Sequence, residues 1–281
     1  PNTWLIGEAQ DISWATNGNL NGLTPADATI KLATDGVNFN NTLTTAAVPG
    51  NDGSSNNTWN WSPIPSSLGG ENLIGTTNKV KIVLNYGDAG LVESATGNFT
   101  LKGRIYNVAP TTDETWLSGD TKRISWSKNG LFGGGASDGT VDIYYSSNAG
   151  FTYGELPIAN DVSAGTDAGG GFWDWDIPLT VAGSSPTSKI KVVQSNDPTV
   201  YGVSADFHLK ASITVNEPIG GEIWRYNEVK PIKWTVHGAM DYVVIKYKVG
   251  AGDWTYCENA LPGNNLAAGT AEVMQTFNWT V

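Results

Sequence analysis

Apolar residues along this chain recur at every second position in short runs, and Gly, Pro, Asn and Ser break the runs. Ile30 and Leu32 alternate with polar neighbours. So do Val141, Ile143 and Tyr145, and again Val243, Ile245 and Tyr247. A period of two marks strands with one buried face. Each run leads into a Gly-rich turn and an aromatic residue, Phe39, Phe151 or Trp254, which predicts a hairpin. Residues 79–83 and 189–193 predict a further strand in two copies, as do residues 99–102 and 207–210. No segment holds the period of about 3.6 residues that an amphipathic helix needs.

The pattern repeats as a whole. Trp4 and Trp14 return as Trp116 and Trp126, then as Trp224 and Trp234. Trp59 and Trp61 return as Trp173 and Trp175, then as Phe277 and Trp279. A period of about 110 residues lets each copy close a core of its own. Ile12 and Trp14 stand two apart on one strand face, as do Trp59 and Trp61, so this tryptophan set is predicted to be core. Core packing explains it better than a row of sugar platforms does, because buried aromatics supply most of the area a thin sandwich can hide. Three residues after the first Trp of each copy stand Gly7, Gly119 and Asn227. All three tolerate positive φ, which predicts a tight turn there.

These elements predict an all-β chain of three tandem immunoglobulin-like β-sandwiches, residues 1–105, 106–213 and 214–281. A β-propeller is the alternative, but its blades repeat at about 40–50 residues. Two irregularities stand out. Pro110 and Pro218 lie six residues before their Trp, whereas Pro1 lies three before Trp4, so the first strand of the first copy is expected to be altered. The third copy stops at Val281, before the counterparts of 189–193 and 207–210. Without them a sandwich leaves its core and edges open, so the native polypeptide is expected to continue. The last strand of each copy runs into the next at about residues 103–110 and 211–218, which predicts stiff junctions.

Composition narrows the function classes. Charged residues make up only 15% against 10% aromatics, which is the balance of a folded, turn-rich β protein. The net charge of −11 is spread over all three copies and excludes a basic face for nucleic acid or anionic lipid. No apolar stretch is long enough to insert directly into a membrane. Cys257 is the one cysteine, so no intrachain disulfide forms, and its place after Trp254 predicts an inert core residue.

Chemistry-bearing residues are few. His208 and His237 do not recur between copies, and no triad or zinc set can be assembled around them, so no enzyme activity is expected. Asp174 and Asp176 flank Trp175 on its outward side, where a solvated strand face outweighs a glycosidase pair. Asp161, Asp167 and Asp197, with Asp88 in the first copy, fall where sandwich ends meet and are candidate calcium ligands through loop oxygens. Asn40, Asn56, Asn60, Asn98 and Asn278 sit in Asn-x-Ser/Thr triplets; Asn40, Asn56 and Asn98 are the leading glycosylation candidates. Tyr153, Tyr201 and Tyr226 escape the repeat and are candidate surface contacts for a carbohydrate. What does not repeat, the loops 41–57 and 159–171 and the surfaces between copies, is where specific function is expected.

The run Pro218-Ile-Gly-Gly-Glu222-Ile-Trp224, with Ile232-Lys-Trp234 after it, resembles the opening of an immunoglobulin-like unit found in secreted proteins. Fungal cell-wall proteins of the Kre9/Knh1 type carry such units, as do tandem repeats of bacterial S-layer and cell-surface proteins. The Trp-x-Trp element and Ser204-Ala-Asp-Phe207 also look like that family. The resemblance implies an extracellular structural role, self-association into a lattice and no catalytic residues, with an adhesin or a carbohydrate-binding accessory region as the alternative. The stretch from Ser146 to Tyr153 is similar to the Asp-box turn of sialidases, with Asn148 and Tyr153 as departures.

Overall fold

The computed structural model describes residues 2–16, 27–46, 56–86, 90–134, 138–179, 185–257 and 266–281. All regular elements among them are β-strands. In the first repeat Thr3–Leu5, Phe99–Lys102, Gly75–Asn85, Asp27–Ala33 and Asn41–Ala46 lie side by side in that order, with Leu91–Ala95 also paired to Gly75–Asn85. Gln10–Ala15 and Asn56–Trp61 form the facing sheet. Ile12 and Trp61 from the small sheet meet Ile30, Leu32, Val80, Phe99 and Leu101 from the large one in a single buried cluster. Two sheets closing on such a cluster make an immunoglobulin-like sandwich.

The second repeat copies this order with Thr115–Leu117, Phe207–Lys210, Ser185–Gln194, Thr140–Ser146 and Ala159–Ser163, plus Asp197–Val203 against Ser185–Gln194. Its facing sheet has Arg104–Tyr106, Thr121–Asn129 and Gly171–Asp176. The third repeat keeps the corresponding sheet, Ser212–Glu217, Val229–His237 and Gln275–Thr280. Opposite it, among the described residues, stand the two-residue pairs Tyr242–Val243 with Leu266–Ala267 and Lys246–Tyr247 with Thr255–Tyr256.

Register carries the repeat into three dimensions. Ile12 pairs with Trp59, Ile124 with Trp173 and Ile232 with Phe277. Gly7, Gly119 and Asn227 all adopt positive φ, at 85°, 90° and 63°, as the turn requires. The Glu two residues before Trp116 and Trp224 caps the approach to it. Thr111 donates its N–H to Glu114 at 2.7 Å, and Ile219 and Gly220 donate theirs to Glu222 at 2.7 and 2.8 Å.

Two expectations need correction. Residues 41–57 and 159–171 are not simply loops: Asn41–Ala46 and Ala159–Ser163 are edge strands, and Asn56–Trp61 begins within the first span. Thr42 and Thr45 on the first, and Asn160, Asp161 and Ser163 on the second, meet solvent, so no hydrophobic alternation announces them. Leu91–Ala95 is exposed along its whole length, its apolar Leu91 and Val92 included, so burial imposes no alternation on it.

Candidate functional site: the junctions between repeats

The surfaces between repeats are the most constructed feature of the chain. A single residue, Gly103, separates Phe99–Lys102 from Arg104–Tyr106, and a single residue, Ala211, separates Phe207–Lys210 from Ser212–Glu217. The chain thus leaves the large sheet of one repeat and enters the facing sheet of the next with one residue in between. Arg104 pairs with Asn129 and Ser212 with His237, so each connecting strand is hydrogen-bonded from its first residue.

Side chains lock the first junction. Lys102 Nζ lies 3.0 Å from Asp197 Oδ2 and also donates to the Thr199 hydroxyl. Arg104 Nη1 stands 3.0 Å from Glu8 Oε1. Asn72 donates its amide N–H to the Leu131 carbonyl at 2.8 Å, and its own carbonyl accepts the Ile74 N–H at 3.0 Å. Ile74 then packs against the cores of both repeats. Close backbone approach makes this possible. A Cβ on Gly7 would stand 2.0 Å from Asn129 Nδ2, and one on Gly130 2.9 Å from Ile74 Cδ1. At the second junction Ser212 Oγ donates to the Ser118 carbonyl at 2.9 Å, and Gly238 lies against Ser118 and Ala211. Burial pushes the Asp197 carboxyl up, but hydrogen bonds from Thr199 and Lys102 outweigh that and hold it below its usual value.

The predicted core tryptophans divide in two. Trp61, Trp116, Trp126, Trp175 and Trp234 are buried, while Trp4, Trp14, Trp59, Trp173, Trp224 and Trp279 are half-buried and pack at the cluster edges or against neighbouring rings. Two buried ones make the same bond, which the sequence does not show: Trp126 Nε1 donates to the Ala164 carbonyl at 3.0 Å and Trp234 Nε1 to the Ala268 carbonyl at 3.1 Å. Trp173, Tyr145 and Trp175 join Asp174, Asp176 and Pro178 around an open cleft of about 490 Å³.

The candidate calcium ligands do not converge. Asp161 takes a bond from Thr140, Asp167 accepts the Gly130 N–H at 2.7 Å, and Asp197 faces Lys102. Asp88 lies outside the described residues. Among the described residues no three of His, Cys, Asp and Glu gather as a metal-ligand set. Asn40, Asn56, Asn98 and Asn278 are exposed; Asn60 is exposed too, but its amide donates to Asp11. Tyr201 and Tyr226 are exposed and Tyr153 is half-buried; Lys191 lies over the rings of Tyr153 and Tyr201. Cys257 is fully buried, and burial raises its thiol pKa.

Two features have no signal in the sequence. Lys128 continues the inward face of Ile124 and Trp126 and is fully buried, its amine donating to the Gly130 and Asp138 carbonyls and pairing with Asp138 at 2.8 Å. His237 bridges Thr214 at 3.0 Å and Glu272 at 2.8 Å, an order of groups that resembles a hydroxyl–imidazole–carboxylate relay. Thr214 stands on an exposed sheet face, outside the cleft of Tyr145, Trp173 and Trp175. The Asp-box-like turn closes on itself: Asn148 Oδ1 accepts the Thr152 N–H and Ser146 Oγ the Gly150 N–H, both at 3.0 Å, which leaves Phe151 in solvent.

No family model matches the chain, and a search of curated proteins finds none similar to it. Among solved structures, it is similar to fibronectin(III)-like modules of Clostridium thermocellum CbhA, at 13% identity and a TM-score of 0.24, covering 74% of this chain and 88% of that one. It is also similar to an ICAM-5 D1–D4 ectodomain fragment, at 16% identity and a TM-score of 0.30, covering 100% and 66%. The titin fragment I67–I69 matches at 9% identity with a TM-score of 0.29, covering 99% and 85%. At these scores the similarities carry no argument beyond the fold already described.

Proposed function

We propose that this chain is a structural spacer of an extracellular surface, a stretch of an S-layer or stalk protein that self-associates laterally and catalyses no reaction. The single-residue connections at Gly103 and Ala211 are the observation that carries this reading. A connection of one residue, with both flanking strands in ladders, has little freedom to bend, and inter-domain motion is otherwise the default for tandem units. Ile74, shared by two cores, adds stiffness at the first junction. A rod of this kind sets a distance.

Small-angle scattering tests it. The native chain should scatter as one extended rigid body, whereas a variant with a flexible Gly-Ser insertion at each junction should broaden its distance distribution. Identical curves for the two would sink the proposal. A second reading, an adhesin or carbohydrate-binding region, is favoured by the cleft of Tyr145, Trp173 and Trp175 with its two carboxylates. Glycan-array binding abolished by Trp173→Ala would establish it, and no binding to any glycan would remove it.

A further inference from the structure

The outward face of the large sheet carries the same lysine in the first two repeats and surrounds it differently. Lys81 follows buried Val80, and Lys191 stands between buried Ile190 and Val192, so both point away from the core. On the neighbouring strand Lys81 faces Lys31, whereas Lys191 faces Tyr144. On the other side Glu93 lies opposite Val83, and Tyr201 lies opposite Val193 at the matching position. In the first repeat Glu93 neutralises the lysine, its Oε1 2.9 Å from Lys81 Nζ. In the second repeat a phenol takes the place of that carboxylate.

Lys191 is thereby set among rings. Its Nζ stands 4.5 Å from the centroid of Tyr201 and 5.4 Å from that of Tyr153. Tyr153 reaches this face from the turn at 146–153, its hydroxyl close to Gly150 and beside the Lys189 stem. Burial first, and then the Tyr201 phenol, push the Tyr153 hydroxyl above its usual pKa, so it keeps its proton. Tyr201 is 51% exposed, and Tyr144 and Tyr153 are half-buried. The other charges on this face are engaged. Lys189 lies 3.4 Å from Asp206, and Asp142 accepts the Asp161 N–H at 3.0 Å and the Ser195 hydroxyl at 2.9 Å. Among the described residues Lys191 forms no ion pair and no hydrogen bond; it meets the two rings.

We propose that Lys191, Tyr144, Tyr153 and Tyr201 form a binding site for a carboxylated sugar, a uronic acid residue of a short oligosaccharide. The ammonium offers three charge-assisted donors to the sugar carboxylate. The tyrosine faces, negative at their centres, suit the C–H edges of a pyranose, and the phenol hydroxyls suit its hydroxyls. A lone carboxylate has no use for the rings, and a neutral sugar has no use for the cation; an acidic sugar uses both. The net charge of −11 repels a long polyanion, which favours a short ligand whose charge is read within about 8 Å at physiological salt. The site shares no residue with the cleft of Trp173 and Trp175, and it stands whether the chain is a rigid rod or a jointed one.

The probe is trigalacturonate, titrated into the full 281-residue chain and followed by amide chemical shifts. Saturable shifts are expected around residues 144, 153, 191 and 201. The fully methyl-esterified trisaccharide, which keeps the sugar and loses the charge, should bind at least about tenfold more weakly. Tyr201→Glu installs the partner that the first repeat already carries at this register, so the sheet tolerates it, and it should weaken binding by a similar factor. Lys191→Met should do the same by removing the cation, and Lys191→Arg should retain binding. No saturable shifts would overturn the proposal. So would equal affinity for the methyl ester, unchanged affinity in both Tyr201→Glu and Lys191→Met, or shifts centred on Trp173. A triglutamate peptide that binds as tightly as the sugar would also overturn it.

Discussion

Replacing Gly103 by Ala adds one methyl group at the only residue between the first two repeats. That methyl would stand 2.2 Å from Cε1 and 2.9 Å from Cδ1 of Phe132, and 3.0 Å from the Asn129 carbonyl oxygen. Carbon atoms in contact settle at about 3.5–4.0 Å, so the ring edge must retreat by about 1.3–1.8 Å. It has little room. Phe132 is buried, a Cβ on Gly139 would lie 2.6 Å from its main-chain carbon, and Lys128 Nζ sits 4.8 Å from the ring centroid. Gly103 does not have a φ in the left-handed region, so the effect is one of contact alone.

Overpacking of this kind costs about 1–3 kcal/mol. For a unit of about 100 residues each kcal/mol lowers the unfolding midpoint by about 4–8 °C. Differential scanning calorimetry should therefore show a transition some 5–20 °C lower in the variant, by the same conversion. The double variant Gly103→Ala/Phe132→Leu removes the ring edge and should lose less than the two single changes summed. An unchanged midpoint for Gly103→Ala, or strict additivity in the double variant, would refute the claim that the connection is closed by this contact.

Lys128→Met keeps the volume but strands the carbonyls of Gly130 and Asp138, and urea titration should show a loss of about 2–4 kcal/mol. Asp138→Asn, at a carboxylate 40% exposed, should cost under about 1 kcal/mol in the same titration. Trp126→Phe leaves the Ala164 carbonyl unpaired and should cost about 1–3 kcal/mol by thermal melt. Burial raises the pKa of Glu114, but bonds from Thr111 and Trp116 bring it below 4.5; Asp197 lies below 3.8. Because the unfolded chain takes up these protons first, their contribution is whole above about pH 5 and is lost as pH falls through the depressed values. Melting temperature should therefore fall on acidification below 4.5, less steeply in Glu114→Gln, and a rise there would contradict the assignment. Activated esters and sialosides should show no turnover above that of Thr214→Ala; hydrolysis lost in that variant would make the Thr214–His237–Glu272 relay an active site.

Legibility followed burial. Ile143, Val192 and Phe207 lie on strands with one face in the core, and alternation exposed them. The turn at Gly7, Gly119 and Asn227 was legible because only a few residue types accept its φ. Asn41–Ala46 and Ala159–Ser163 were read as loops because an edge strand with polar faces leaves no hydrophobic period. Lys128 was invisible for a different reason. A lysine in an alternating run reads as solvent-facing, and only the nearby carbonyls of Gly130 and Asp138 make its burial tolerable.

By itself the sequence determined the all-β class, the repeat and the tryptophans around which each core forms, because those depend on a local period of two and on which side chains avoid water. The tertiary structure decided what lies between repeats. Ile74 belongs to two cores, Asn72 reaches Leu131, and Lys102 finds Asp197 across a gap of almost a hundred residues. Such contacts join positions far apart in the chain and leave no mark in any local window.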